Sequence, residues 1–450
     1  MSDTSIPDKA LSTIVDMLDK SNVATAQRYP GELPGRQPVH TVYGGAHLFK
    51  ADITRKLGAA ALNALHEYAP DSGTLAEIIR VSRSLAARIH PRVEEKLTRE
   101  PVEDLRIDFE DGFGTRSDDE EDRFAVAAAD EMVSSHKAGT LPFGLGIRIK
   151  PLNEELKRRS LRTFDLFLTR VVAGTGGALP PNFVVTLAKV TSPAQVAGLA
   201  AACDAFEYWR ELPAGTLRVE VMVETTQSVL AEDGTNALPG LVAEGGGRIV
   251  AAHFGAYDYT ASCGITASHQ HMLHPACDFA RHAMQVALAG TGIWLSDGGT
   301  NVLPIPRHRA AAGGSLTEAQ SAENAEVVHQ AWRLQAKHIR HALVNGFYQG
   351  WDLHPAQLPM RYAAVYAFFL EGLETASERL RNFVGKAGQA TLVGNVFDDA
   401  ATGQGLLNYF LRAVNCGAIT EEEAVEFSGL TFDELRGRSF VRVLENRTRT

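Results

Sequence analysis

Cysteine is scarce in this 450-residue chain. The four present, Cys203, Cys263, Cys277 and Cys416, show neither paired spacing nor a metal-ligand pattern. That argues against a disulfide framework and a zinc site, and predicts reduced thiols in a cytoplasmic protein. No uninterrupted apolar run approaches the roughly 20 residues of a membrane span. Residues 1–20 lack the basic patch followed by an apolar core that marks a secretory signal. Basic residues do not gather into stripes, and the formal net charge is −10. Neither nucleic acid nor an anionic membrane is therefore expected as a partner, since both need a concentrated cationic surface. A small anionic substrate is still compatible, because it responds to the local field of a few residues.

What is present is an ordinary globular composition, long enough for one large α/β barrel plus an extra segment, or for two to three smaller domains. Residues 1–38 contain a short amphipathic helix candidate and close in the turn residues Tyr29-Pro30-Gly31, Pro34-Gly35 and Pro38. From there strand-like and helix-like stretches alternate, the pattern of a parallel α/β fold. Strands are expected at 39–43, 105–109, 146–149, 183–189, 217–223, 249–254, 292–295 and 347–353. Helices are expected at 50–68 and 74–98. Eight strands is the number that closes a (β/α) barrel. The expected architecture is thus a lead-in at 1–38, a TIM barrel at 39–358, and a C-terminal helical extension at 359–450 whose clearest helix covers 362–383. Val365, Phe368, Phe369 and Leu373 in that helix are apolar residues a closed barrel does not need. They predict packing on a neighbouring subunit, in a trimer or hexamer.

Charged residues fall where a TIM barrel keeps its chemistry, at the C-terminal ends of strands. Asp108, Glu110 and Asp111 close one strand, Arg148 lies in another, Glu224 ends a third and Asp258 follows a fourth. One such cluster is easily a solvated surface; four at four strand ends are not. Glu224 and Asp258 are hard oxygen donors suited to Mg²⁺ or Mn²⁺, and a metal so held chelates a 2-oxo acid and stabilises an enolate. Arg148 offers a fixed cationic fork to the enolate oxygen or to a carboxylate. By the two-residue strand period, Arg148 faces the barrel mouth while Ile147 and Ile149 face the surrounding helices.

These residues resemble the HpcH/HpaI aldolase and citrate lyase beta-subunit family. Asp108-Phe109-Glu110-Asp111 is similar to its Asp-Leu-Glu-Asp signature, and Ile147-Arg148-Ile149 to its arginine strand. Leu187-Ala188-Lys189-Val190 resembles its Pro-Lys-Val segment, with Ala188 in place of the proline. Val223-Glu224-Thr225 is similar to its Ile-Glu-Thr metal motif, and Phe254-Gly255-Ala256-Tyr257-Asp258 to its Phe-Gly-x-x-Asp motif. Leu295-Ser296-Asp297-Gly298 and Leu353-His354-Pro355-Ala356-Gln357 follow in the family's order. The resemblance implies a TIM barrel with Mg²⁺ or Mn²⁺ on Glu224 and Asp258, an arginine-assisted enolate, and an oligomer. It also implies that Glu110 and Asp111 order metal-bound water, and that backbone amides near Ala256 and Tyr257 hold a substrate carboxylate.

Departures from the family are a longer tail, an added stretch at about 65–100, and Gly44-Gly45-Ala46-His47 where Val-Pro-Gly is usual. A competing first strand lies at 79–84. These changes sit where a relative binds coenzyme A or the distal part of its substrate. The expected activity is a carbon–carbon lyase or aldolase acting on a 3-hydroxy acid, free or as a CoA thioester, with a 2-oxo acid partner. The alternatives are a hydrolase or phosphotransferase on the same barrel, or a catalytically silent binding subunit.

Several further patterns carry less. Phe113 stands where an EF-hand needs glycine, and Gly245-Gly246-Gly247 lacks the lysine of a phosphate loop. His269, His271 and His274 read as helix-surface histidines rather than a second metal site. His47 is a weak candidate base, and Asp398-Asp399 reads as a helix cap in preference to an acid/base pair.

Overall fold

Eight short strands rich in β-branched residues close into a parallel barrel. They are β1 (His40–Gly45), β2 (Asp104–Asp108), β3 (Gly144–Ile149), β4 (Phe183–Leu187), β5 (Arg218–Val223), β6 (Ile249–Phe254), β7 (Trp294–Gly299) and β8 (Gln349–Asp352). Each pairs with the next in sequence, and β8 returns to β1 with His40 opposite Gly350. This computed structural model describes residues 5–31, 35–311, 313–385, 391–393, 396–398, 400–437 and 439–448. All eight expected strands are present, with shifted ends. The rival first strand at 79–84 is instead the junction of two helices, Ser72–Ile79 and Arg83–Arg99. Arg80 breaks the run by adopting a left-handed conformation (φ 58°), and Ser82 caps the second helix by accepting from the Leu85 amide at 3.2 Å.

The strand period sorts the side chains. Ile107, Ile147, Ile149, Val185, Val221 and Val223 are fully buried in the apolar layer between barrel and helices. Their neighbours fill the lumen with a polar network. Arg106 on β2 donates to Glu220 on β5 through Nη2 (2.6 Å) and Nε (2.9 Å), and to Thr186 on β4 (3.1 Å). Strands so far apart in the barrel meet only across its interior. Burial pushes Glu220 up, but the Arg106 charge outweighs it and holds the carboxyl well below the usual range. This paired lower layer is the floor of the site above it.

The C-terminal segment covers its own apolar residues. Helix Leu358–Gly385 packs against helices Arg83–Arg99, Glu318–Val344, Ala400–Asn415 and Glu421–Ser428 of the same chain. Val365, Phe369 and Leu373 are buried there and Phe368 is half-buried. Each fully buried side chain contributes about 1.5–3 kcal/mol without any second subunit. These residues therefore give no reason to require a neighbour. The lead-in helix Asp8–Arg28 has no buried residue, and its Leu11, Ile14, Val15 and Leu18 are exposed. Val396–Asp398 forms a short antiparallel ribbon with Thr391–Val393. The side chain of Asp398, and Asp399 altogether, lie outside the described residues. Among the described residues, no helix is long and apolar enough to cross a membrane.

Candidate active site

The site stands on the C-terminal ends of β2 to β6. Asp108 closes β2 and shapes the turn after it, accepting from the Glu110 amide (3.0 Å) and the Gly112 amide (2.7 Å). Gly112 is required here, because a Cβ would lie 2.6 Å from Asp108 Oδ2. Arg148 on β3 grips Asp108 with both prongs, Nε to Oδ1 at 2.8 Å and Nη2 to Oδ2 at 2.6 Å. Its remaining nitrogen, Nη1, lies 3.4 Å from Glu110 Oε2. The guanidinium carbon is 4.8 Å from the Tyr43 ring centre and 5.9 Å from that of Trp351. Arg148 thus faces the mouth as its strand position predicts, fixed by a bidentate ion pair and two aromatic rings.

Beyond β4, Lys189 takes a left-handed conformation (φ 48°) that costs a non-glycine residue about 1–2 kcal/mol. The strained turn aims its amide at Glu224 Oε1, 2.7 Å away. Its Nζ meets Glu110, lies 3.0 and 3.1 Å from the two Asp111 oxygens, and lies 3.6 Å from Asp258 Oδ1. Burial is the largest influence on both Glu110 and Asp111. Glu110 ends above the usual carboxylate range and Asp111 below it, with Lys189 and Arg148 favouring the charged form of each. Lys189 itself is raised, its acidic neighbours overcoming burial. Removing this cation adds negative charge to the cluster. Lys189→Gln is therefore expected to tighten Mn²⁺ binding several-fold in a calorimetric titration, while any turnover falls.

Glu224 follows β5 and is fully buried, yet its Oε2 has no hydrogen-bond partner among the described residues. Burial pushes its carboxyl up from the ordinary 4.5 to about 7; Arg148 and Lys189 oppose that shift and Asp258 adds to it. Gly255 lets β6 pass close by, since a Cβ there would overlap Glu224 Oε2. Asp258 sits in the first turn of helix Ala256–Ser262, with its side chain 40% exposed. Ala256 and Tyr257 occupy the same turn, where amides have no intrahelical acceptor and can bind an anion.

Glu224, Asp258, Arg148, Asp111, Ala256 and Tyr257 all line one cavity of about 620 Å³ at the barrel mouth. Among the described residues no group of three or more His, Cys, Asp and Glu is arranged to hold a metal. The donor set at hand is two carboxylates, one with an orphaned buried oxygen. Two oxygen ligands with the remaining positions left to water and substrate are what Mg²⁺ accepts. The residues present therefore fit such an ion. Gly255→Ala is expected to displace the Glu224 carboxylate, so that Mn²⁺ affinity falls at least tenfold while the circular dichroism spectrum is kept.

Not every candidate belongs here. His47 packs against Phe113 and Phe124 and does not line the cavity. His269 is the exposed last residue of a short 3-10 helix, Ala267–His269, whereas His271 and His274 lie outside any helix. His271 and His274 occupy the segment before helix Pro275–Leu288, and His274 caps it by accepting from the Ala276 amide at 3.1 Å. Three contributors were missed: Lys189, Tyr43 and Trp351. Lys189 closes the expected strand 183–189, where nothing local marks it as a bridge between other strand ends. Tyr43 and Trp351 read only as strand residues, because period two gives a face and not a partner.

The family model described as a domain of unknown function, DUF6986, matches residues 18–443. The chain belongs to this family. No curated protein matches the chain. Among solved structures, a citrate lyase from Burkholderia xenovorans LB400 superposes with a TM-score of 0.57 at 18% identity, covering 87% of this chain and 97% of that one. A Haloferax volcanii malate synthase, in its magnesium/glyoxylate complex, gives a TM-score of 0.42 at 14% identity over 90% and 96%. The first likeness shows a shared TIM-barrel fold.

Proposed function

We propose that the protein is a divalent-metal-dependent carbon–carbon lyase or aldolase that cleaves or forms a hydroxy acid bearing a 2-oxo group (a 4-hydroxy-2-oxo acid), through the enolate of the 2-oxo acid fragment. The observation that carries this reading is the unpartnered, buried Glu224 oxygen beside Asp258, in a cavity floored by Arg148. A Mg²⁺ or Mn²⁺ held by Glu224 and Asp258 would supply Lewis-acid polarisation of the substrate's carboxylate and ketone oxygens.

The chain's own groups do the rest. Arg148, preorganised by Asp108, Tyr43 and Trp351, presents Nη1 to the oxygen that gains charge as the bond breaks. The amides at Ala256 and Tyr257 receive the substrate carboxylate. In the cleavage direction the carbinol carbon becomes a carbonyl and its hydroxyl proton leaves. The pair from the broken carbon–carbon bond stays on the enolate carbon, which is then protonated. Glu110 does not itself line the cavity; raised above the usual range and braced by Lys189, it would hold a proton behind Arg148 Nη1. The citrate lyase likeness in fold and the ordered family motifs support the reading. A crystal soaked with Mg²⁺ and oxalate tests it. Density joining oxalate to Glu224 and Asp258 is expected, and an empty pocket at saturating concentrations of both would overturn it.

A further inference from the structure

The cavity has two unlike ends. Its floor carries Arg148, Glu224 and Asp258, as described, but most of its wall is hydrocarbon. Leu48 and Phe49 come from the segment after β1, Ile53 and Leu57 from the start of helix Ile53–Tyr68, and Leu353 and Leu358 from the segment after β8. Ile53 and Leu57 are four residues apart on a helix and so present one apolar surface to the cavity. Leu48 is 60% exposed and Leu353 42%, so the rim holds apolar surface that the fold itself leaves wet. At about 620 Å³ the space lies mid-range for ligand pockets, roughly 300–1,000 Å³, and a three-carbon acid fills only a small part of it.

We infer that the site takes an acid carrying an extended apolar chain, an alkyl or aryl group of several carbons, with its polar head at Arg148 and Glu224 and its tail along Leu48, Ile53, Leu57 and Leu353. This rests on the proposed reading for the nature of the head group, a 2-oxo acid or the hydroxy acid formed from it. The tail is bound by removal of apolar surface from water, which is non-directional and tolerant of chain detail. Selectivity then lies in length and bulk. A tail with a charged group beside Leu48, Ile53, Leu57 and Leu353 would meet mostly hydrocarbon and bind poorly.

The test is calorimetric titration of the full chain, in Mg²⁺, with straight-chain 2-oxo acids from pyruvate to 2-oxooctanoate. Each added methylene is expected to lower Kd by up to about fourfold, for at least a tenfold gain across the series. Leu57→Gln and Leu48→Asp are each expected to cut that gain to threefold or less. Leu48, exposed in a short turn, can be changed without cost to folding. Affinity that stays flat or worsens with chain length, or no saturable binding by any member, overturns the inference. Deuterium exchange at the pyruvate methyl group is measured alongside. Exchange without length dependence removes the apolar-tail inference and leaves the lyase reading. Length dependence without exchange does the reverse.

Discussion

Glu224→Gln and Asp258→Asn are each expected to lose divalent-metal binding while the barrel stays folded. Glu224 is the sharper case, because its charge has no adequate compensation in the protein alone. One oxygen accepts the Lys189 amide and the other accepts nothing among the described residues. Burial accordingly raises its carboxyl from 4.5 to about 7. The sign follows from linkage: the folded carboxyl binds its proton more tightly than the unfolded one. The metal-free protein is therefore stabilised below pH 4.5, and loses that stability as pH rises to about 7. The difference corresponds to about 3 kcal/mol against ionised Glu224 above pH 7. Metal-free Glu224→Gln should accordingly melt higher than metal-free wild type at about pH 8, with the advantage gone near pH 4.5. Mn²⁺ should reverse the order at the higher pH by stabilising only the wild type. A carboxylate kept for structure alone would give the opposite result, a less stable variant with metal affinity unchanged. Calorimetric titration with Mn²⁺ and paired melting curves decide between the two.

Arg148→Lys is expected to cost on the order of 100-fold or more in enolisation, the usual loss when a transition-state donor is removed. The structure shows this arginine as the counter-ion of Asp108, and the proposed reading adds the enolate oxygen as a ligand of its remaining nitrogen. Nε and Nη2 are spent on Asp108, leaving Nη1 beside Glu110 at the cavity floor. Lysine keeps the charge but cannot grip both Asp108 oxygens and still present a donor to the mouth. It should therefore also destabilise the fold, since Asp108 is buried and half of its pairing is lost. The two effects separate experimentally. Stability is read from a thermal melt, and enolisation from exchange measured well below the melting temperature. An Arg148→Lys protein that melts lower yet exchanges at the wild-type rate would reduce Arg148 to the counter-ion of Asp108.

The barrel was readable because strand period, strand count and the polar residue at each strand end agree. Ile147 and Ile149 fix the outward face of β3, and Arg148 must then point inward. The residues at the strand ends were readable for the same reason. Partnership was not. Nothing local says that Lys189 will adopt a left-handed turn and bridge Glu110, Asp111 and Asp258, because those groups come from two other strand ends. The cover of the C-terminal helix was not legible either. Apolar residues on several faces show that a helix is covered, but not whether its own chain or another covers it. Here helices from before β2, before β8 and from the tail itself do so. Ile53 and Leu57 fall within an expected helix and Leu48 just before it, and only the closed barrel brings the three to one cavity.

The central claim is that this mouth generates an enolate, and exchange at the pyruvate methyl group tests it without knowledge of the true substrate. The protein is incubated with pyruvate in deuterium oxide and followed by NMR, with Mg²⁺ and then with excess chelator. The account predicts loss of the methyl signal with Mg²⁺, its persistence with chelator, and its persistence in Glu224→Gln at any Mg²⁺ concentration. A wild-type protein that binds both Mg²⁺ and pyruvate yet leaves the methyl protons unexchanged would contradict it.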